Sequence, residues 1–319
     1  MNESQALQNM VPPGARKPGK WLQGVIQIWV TRACDKSCFN CTQFSNLGGN
    51  PGMITLENFE KACIRLKDYH GVVGVFGGNP AMHPKFEELC AIMEKHIPFH
   101  RRGLWCNNPL GKGAVMRRTF NPRHSNLNVH LDQEAYDEFK RWWPESSPCG
   151  LESDSRHAPA GGVALRDLTD MTDDQRWELI GQCDINRHWS GMFGQFRGEL
   201  RFWFCEIAGA QAMLHQTDPN YPDTGFSETY TANGKICWNL PMQDYAHQVR
   251  KHCMDCGVPL RGYGELAQSP TGVEQCTETH ADFFKPKTRD RLVQLVTTSE
   301  QTKPLTLGNM VSYLENSTK

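Results

Sequence analysis

Apolar residues follow two rhythms along the first two-thirds of the chain. Gly24–Thr31 (GVIQIWVT) is a continuous run rich in β-branched residues, the pattern of a buried strand. Thr55–Tyr69 (TLENFEKACIRLKDY) instead places apolar residues at 56, 59, 63 and 66, a helical period, with Thr55, Glu57 and Asn58 marking its start. The alternation repeats. Val72–Phe76 predicts a second strand ending in Gly77-Gly78-Asn79-Pro80, Pro84–His96 a helix and Gly103–Asn107 a third strand. Asn126–Leu131 predicts a fourth strand and Gln133–Trp143 the helix after it. Pro144–Gly162, rich in Ser, Pro and Gly, reads as a loop or insertion. Thr172–His188 predicts another helix, and Glu199–Ile207 (ELRFWFCEI) the last strand.

Strand–helix alternation implies parallel strands joined by right-handed crossovers. About six β/α units over residues 21–212 predict an α/β fold, a partial (β/α)6 barrel of the TIM type, short of the full eight. From 213 the rhythm stops. Residues 213–285 read as a small cysteine-rich extension and 286–319 as a polar C-terminal segment. Residues 1–20 are polar, with Pro12, Pro13, Gly14, Pro18 and Gly19, and read as a flexible lead-in without the apolar stretch of a secretory signal.

Composition narrows the partners. Lys and Arg total 34 against 35 Asp and Glu, so nothing draws the whole chain to nucleic acid or an anionic membrane. The basic stretches His100-Arg101-Arg102 and Arg117-Arg118 read as a solvated rim. With no apolar run of about 18 residues, a cytoplasmic protein without membrane or general nucleic-acid partners is expected. The 13 cysteines are odd in number and unevenly spaced, which favours metal binding over a disulfide framework. Seven fall in two places: 34, 38, 41 and 237, 253, 256, 276. Cys63 and Cys90 lie in helical patterns, and Cys106, Cys149 and Cys183 have no partner at ligand spacing; all five read as small buried hydrophobes.

Cys34-Asp-Lys-Ser-Cys38-Phe-Asn-Cys41 directly follows the first strand. Three thiolates at this C-x3-C-x2-C spacing can grip three irons of a [4Fe–4S] cube and leave the fourth open for chemistry. Half of a zinc site is the competing reading, but no fourth Cys or His lies nearby at zinc spacing. The loop also sits at the C-terminal end of a strand, where α/β folds place their active sites. The cysteine triplet and the Gly77-Gly78-Asn79-Pro80 turn, 36 residues after Cys41, resemble the radical S-adenosylmethionine (SAM) superfamily.

The resemblance implies a catalytic [4Fe–4S] cluster on Cys34, Cys38 and Cys41 with SAM on its open iron. Reductive cleavage of SAM then yields a 5′-deoxyadenosyl radical that removes hydrogen from a substrate at the barrel mouth. It also implies an electron donor such as flavodoxin or ferredoxin. SAM contacts are expected from Phe39, Asn40, Gly77, Gly78, Asn79, Pro80, Asn107 and His130, with Asn108 and Asp132 at the same strand ends. Gly77 and Gly78, lacking Cβ atoms, are expected to let the backbone approach the SAM amine. Two positions depart from the family pattern. The aromatic of the triplet is Phe39 rather than position 40, and Asn79 stands where an acid is usual.

Cys253-Met-Asp-Cys256 is a C-x2-C knuckle, a spacing that puts two thiolates on one metal. It resembles the auxiliary-cluster extensions (twitch or SPASM type) of radical SAM enzymes, although the full cysteine pattern is not the SPASM one. A second [4Fe–4S] cluster on Cys205, Cys237, Cys253 and Cys256 is the preferred expectation, with Cys276 in reserve and a structural zinc as the alternative. The competing overall reading is a non-catalytic binding protein scaffolded by zinc or iron–sulfur. The substrate is not specified by these residues.

Overall fold

Strand β1 (Val25–Thr31) is buried at every position. It is hydrogen-bonded on both sides and covered on both faces, which is why its sequence runs apolar instead of alternating. The computed structural model describes residues 1–16, 24–38, 41–47, 50–151, 164–168, 171–183, 185–186, 191–227 and 236–259. In it β1 pairs in parallel with β2 (Val72–Gly77) on one side and β4 (Gly191–Phe196) on the other. β3 (Arg102–Leu104) lies parallel beyond β2, while β5 (Glu199–Trp203) and β6 (Phe226–Ser227) continue antiparallel beyond β4. The result is a mixed α/β fold around a six-stranded sheet ordered β3-β2-β1-β4-β5-β6.

This differs from a run of six parallel strand–helix units. The expected fourth strand pairs only through single parallel bridges, Trp105↔Asn126 and Asn128↔Cys149. It breaks off in two successive left-handed residues, His130 (φ 50°) and Leu131 (φ 63°). β4 (GMFGQF) is an addition to the predicted elements, its strand signal diluted by two glycines. β5 reverses direction because Arg197 and Gly198, at φ 49° and 88°, close a two-residue hairpin turn.

Among the described residues the helices of seven or more residues are α1 (Glu3–Asn9), α2 (Leu56–Leu66), α3 (Phe86–His96), α4 (Gly113–Thr119), α5 (Gln133–Trp142), α6 (Asp173–Gln182), α7 (Glu206–Leu214) and α8 (Ala246–His252). α2 begins where Thr55 Oγ1 accepts the Asn58 N–H at 3.2 Å. It buries Phe59, Cys63 and Leu66, three of its four periodic positions. α6 starts at a reciprocal Thr172–Gln175 capping box and stops at Cys183, short of its expected end.

Three expectations need correction. The run ELRFWFCEI is divided: strand to Trp203, then α7, with Cys205 as its N-cap residue. α7 is buried at every residue and crosses 212–213, so no boundary falls there. Residues 1–16 are not a free lead-in. α1 buries Ala6 and Leu7, and Ala6 packs on Gly181 of α6 so closely that a Cβ there would lie 3.2 Å from the Ala6 Cα. The expected segment 286–319 lies outside the described residues, among which no helix is long and apolar enough to cross a membrane.

Candidate functional site

The chain leaves β1 at Thr31 and folds the cysteine loop over the C-terminal end of the sheet. Thr31 Oγ1 turns it, accepting the Ala33 N–H at 3.0 Å and donating to Gly52 O at 2.9 Å. The buried Arg32 guanidinium draws the returning limb back, donating to the carbonyls of Phe44 and Asn50, both at 2.9 Å. Inside the loop the Cys41 N–H donates to Cys38 O at 3.2 Å. Two of the sulfurs accept amides: Cys34 Sγ from the Lys36 N–H and Cys41 Sγ from the Ser45 N–H, each at 3.4 Å.

The three thiols are electrostatic neighbours. Burial, and then the charge of Cys41, pushes Cys34 and Cys38 up, Cys38 to about 12. Crowded buried thiols keep their protons unless a cation takes their place, and a metal does so. Among the described residues no three His, Cys, Asp or Glu side chains are already set around a metal position. The donor set nevertheless fits an iron–sulfur group: three soft ligands in one short loop, two of them already accepting N–H bonds.

The glycine turn serves this loop directly. The Gly78 N–H donates to Thr31 O at 2.8 Å and the Asn79 N–H to Ala33 O at 2.7 Å. A Cβ on Gly78 would lie 2.4 Å from Ala33 O and 2.7 Å from both Arg32 O and Ser45 Oγ. The bare glycine therefore makes room for the cysteine loop itself. Beside it, Ser45 Oγ is buried with no hydrogen-bond partner among the described residues, a hydroxyl able to meet a polar ligand.

Asp35, between the first two cysteines, is a residue that spacing arguments passed over. Its carboxylate accepts Asn79 Nδ2 at 2.9 Å, Asn107 Nδ2 at 2.8 Å and Asn108 Nδ2 at 3.2 Å. Asn79 and Asn107, expected as SAM contacts, thus brace the loop from the ends of β2 and β3. Pro80 opens a short 3-10 turn that Asn79 caps, its Oδ1 accepting the Ala81 N–H at 3.0 Å. Lys36 reaches Asp132 Oδ2 at 2.5 Å, tying the loop to the N-cap of α5. Burial would raise the Asp132 carboxyl, but Lys36 and the Ala135 N–H outweigh it and hold the group below the usual range. His130, half-buried, stands at the same end of the sheet in its left-handed conformation. Phe39 and Asn40 lie outside the described residues.

Of the expected second group, Cys205, Cys237, Cys253 and Cys256 all lie among the described residues and are buried. Cys205, Cys253 and Cys256 act on one another electrostatically and Cys183 acts on all three, although no three of them are already set around a metal position. Burial first, then the charges of Cys205, Cys256 and Cys183, pushes the Cys253 thiol well up. Burial likewise raises Cys256, with Cys183 the leading charge. Cys205 is pushed up to about 12 by burial, against the opposing charge of Arg16. Three of the four sit at helix ends: Cys183 caps α6, Cys205 starts α7 and Cys253 caps α8. Cys237 is buried in the turn Cys237–Asn239, its carbonyl taking the Tyr245 hydroxyl. Cys276 lies outside the described residues.

No family model matches this chain, and no curated protein matches it. Six chains of solved structures do. BtrN in complex with AdoMet and 2-DOIA is 11% identical, with a TM-score of 0.42 over 72% of this chain and 87% of that one. Native anSMEcpe with bound AdoMet and Cp18Cys peptide is 17% identical, with a TM-score of 0.30 over 39% and 41%. SuiB of Streptococcus suis bound to precursor peptide SuiA is 10% identical, with a TM-score of 0.37 over 85% and 76%. At these TM-scores the likenesses carry no weight for the chemistry of this chain.

Proposed function

We propose that this chain is a radical SAM enzyme with two iron–sulfur clusters. The observation that carries the reading is the cysteine loop at the C-terminal end of β1. It gathers Cys34, Cys38 and Cys41 and is braced through Asp35 by Asn79, Asn107 and Asn108. When bound, a [4Fe–4S] cluster with SAM supplies an electron that cleaves SAM and so a radical able to remove hydrogen from substrate. The three cysteines hold that cluster. The Lys36 amide favours thiolate at Cys34, the Ser45 amide bonds the Cys41 sulfur, Asp35 fixes the loop, and Ser45 Oγ beside Gly78 offers a hydrogen bond to SAM. His130, at the same end of the sheet, contacts the same ligand, and flavodoxin or ferredoxin supplies electrons.

The second cluster takes Cys183, Cys205, Cys253 and Cys256, four thiolates that close the site and suit it to electron transfer or scaffolding. The test is anaerobic reconstitution with iron and sulfide, followed by iron counting and a SAM-cleavage assay. Two cubes give about eight irons per chain. Replacing Cys34, Cys38 and Cys41 together with Ala should leave about four irons and abolish 5′-deoxyadenosine formation. A colourless zinc protein, or deoxyadenosine formation surviving that triple change, would overturn the reading.

A further inference from the structure

Arg16 is among the largest side chains buried without exposure, at 1% of its surface. It is an unusual place for a full positive charge. Nε donates to Val11 O at 2.9 Å, Nη1 to Phe204 O, and Nη2 touches Met242 Sδ at 4.0 Å. The Phe204 ring lies under the guanidinium at 5.7 Å. Among the described residues no carboxylate pairs with it. Two carbonyls and a thioether leave part of the five-donor fork, and the whole charge, without an anion. A buried cation in that state is expensive and should not persist alone.

The groups that could carry the matching negative charge, once a metal has replaced their protons, are the thiols of the second cysteine group. The charges that act on Arg16 against its burial are those of Cys205, Tyr245, Cys183 and Cys253. Phe204, whose carbonyl Arg16 holds, directly precedes Cys205. The placement is built in by packing. A Cβ on Gly14 would lie 2.5 Å from Asn239 Oδ1 and 2.8 Å from Trp238 Cδ1, and one on Gly24 would lie 2.2 Å from Arg16 O. The N-terminal segment is thus pressed against the Cys237–Asn239 turn, with its one arginine turned inward onto the carbonyl of Phe204.

We propose that Arg16 is the fixed counter-charge of the second cluster, a positioning residue that offsets the negative charge of four thiolates and raises the cluster's reduction potential. This rests on the iron–sulfur reading of Cys183, Cys205, Cys253 and Cys256. Four thiolates around a four-iron cube leave a net negative group, and adding an electron makes it more negative. A nearby fixed cation favours the reduced form, and its removal favours the oxidised form.

The experiment is a redox titration of the reconstituted full chain followed by electron paramagnetic resonance, with Arg16→Gln and Arg16→Lys beside wild type. Two four-iron signals in wild type are the precondition, and their absence would sink the iron–sulfur reading rather than the role of Arg16. With both signals present, Arg16→Gln should make the second cluster at least tenfold more oxidised at fixed potential, a shift of 59 mV for one electron. The signal that depends on Cys34, Cys38 and Cys41 should stay in place. Arg16→Lys, which keeps the charge and loses the fork, should hold the wild-type midpoint within a few-fold. Should Arg16→Gln fail to fold, Arg16→Lys decides: a wild-type midpoint and iron content support the counter-charge. An unchanged midpoint in Arg16→Gln, or a Lys variant that behaves like the Gln variant, overturns it.

Discussion

Replacing Gly78 with Ala tests whether the glycine turn exists for the cysteine loop. The added methyl would sit 2.4 Å from Ala33 O, whereas ordinary contact begins at 3.4 Å, so loop and turn must part by about 1 Å. That parting stretches the 2.7 Å bond from the Asn79 N–H to Ala33 O. Overpacking of this kind costs roughly 1–3 kcal/mol, and one hydrogen bond about 1 kcal/mol. The smaller entropy of the unfolded Ala chain returns roughly 0.4–1 kcal/mol, leaving a net loss of about 2 kcal/mol. At roughly 2–4 °C per kcal/mol for a chain of this size, the iron-free protein should melt about 4–8 °C lower. In the reconstituted protein, iron on Cys34, Cys38 and Cys41 should be lost to a chelator several-fold faster. Gly111→Ala is the control. Its φ of 77° is left-handed but nothing lies within 4 Å, so it should cost stability without loosening iron. If Gly78→Ala melts and holds iron like wild type but loses SAM affinity, the glycine serves ligand space alone and this reasoning is wrong.

Ser45→Ala removes an unpartnered buried hydroxyl, so it should weaken SAM binding several-fold, about 1 kcal/mol, at unchanged iron content; equilibrium dialysis with SAM decides. Asp35→Ala strips three acceptor bonds from the loop; because Asp35 is exposed and water replaces part of them, about 1–2 kcal/mol is expected, read as faster iron loss to a chelator. Cys183→Ala should leave about four irons per chain and Cys237→Ala about eight; the reverse outcome would restore Cys237 as a ligand. His83 is buried, its Nε2 donating to Ile54 O at 3.0 Å, and burial lowers its pKa. The unfolded chain therefore takes up that proton first, at about 6.5. The contribution is whole above that pH and is lost as pH falls through the lower folded value. Urea midpoints at about pH 7.5 and 5 should accordingly differ less in His83→Gln than in wild type.

What could be read without the structure is local. Three cysteines within eight residues are neighbours in any fold, so C-x3-C-x2-C carries the proposal of a shared metal before the loop's path is known. The helical period of 56, 59, 63 and 66 likewise needs only the geometry of one helix, and α2 lies where it predicts. The second cysteine group is another matter. Cys183, Cys205 and Cys253 are separated by elements that only the tertiary fold brings near one another, α7 packing on α8 and α6 on α1, and no spacing rule spans such distances. A short apolar run does not distinguish strand from buried helix, so ELRFWFCEI concealed the start of α7. Arg16 reads as one more charge in a proline-rich lead-in, and Asp35 as one more polar loop residue. Burial turns the first into a counter-charge, and three strand-end amides turn the second into a brace. Ligand chemistry within a loop was written in the order of residues. The loop's braces and the electrostatic grouping of Cys183 with the later cysteines were decided by packing, because side chains far apart in sequence acquire partners only when the core closes around them.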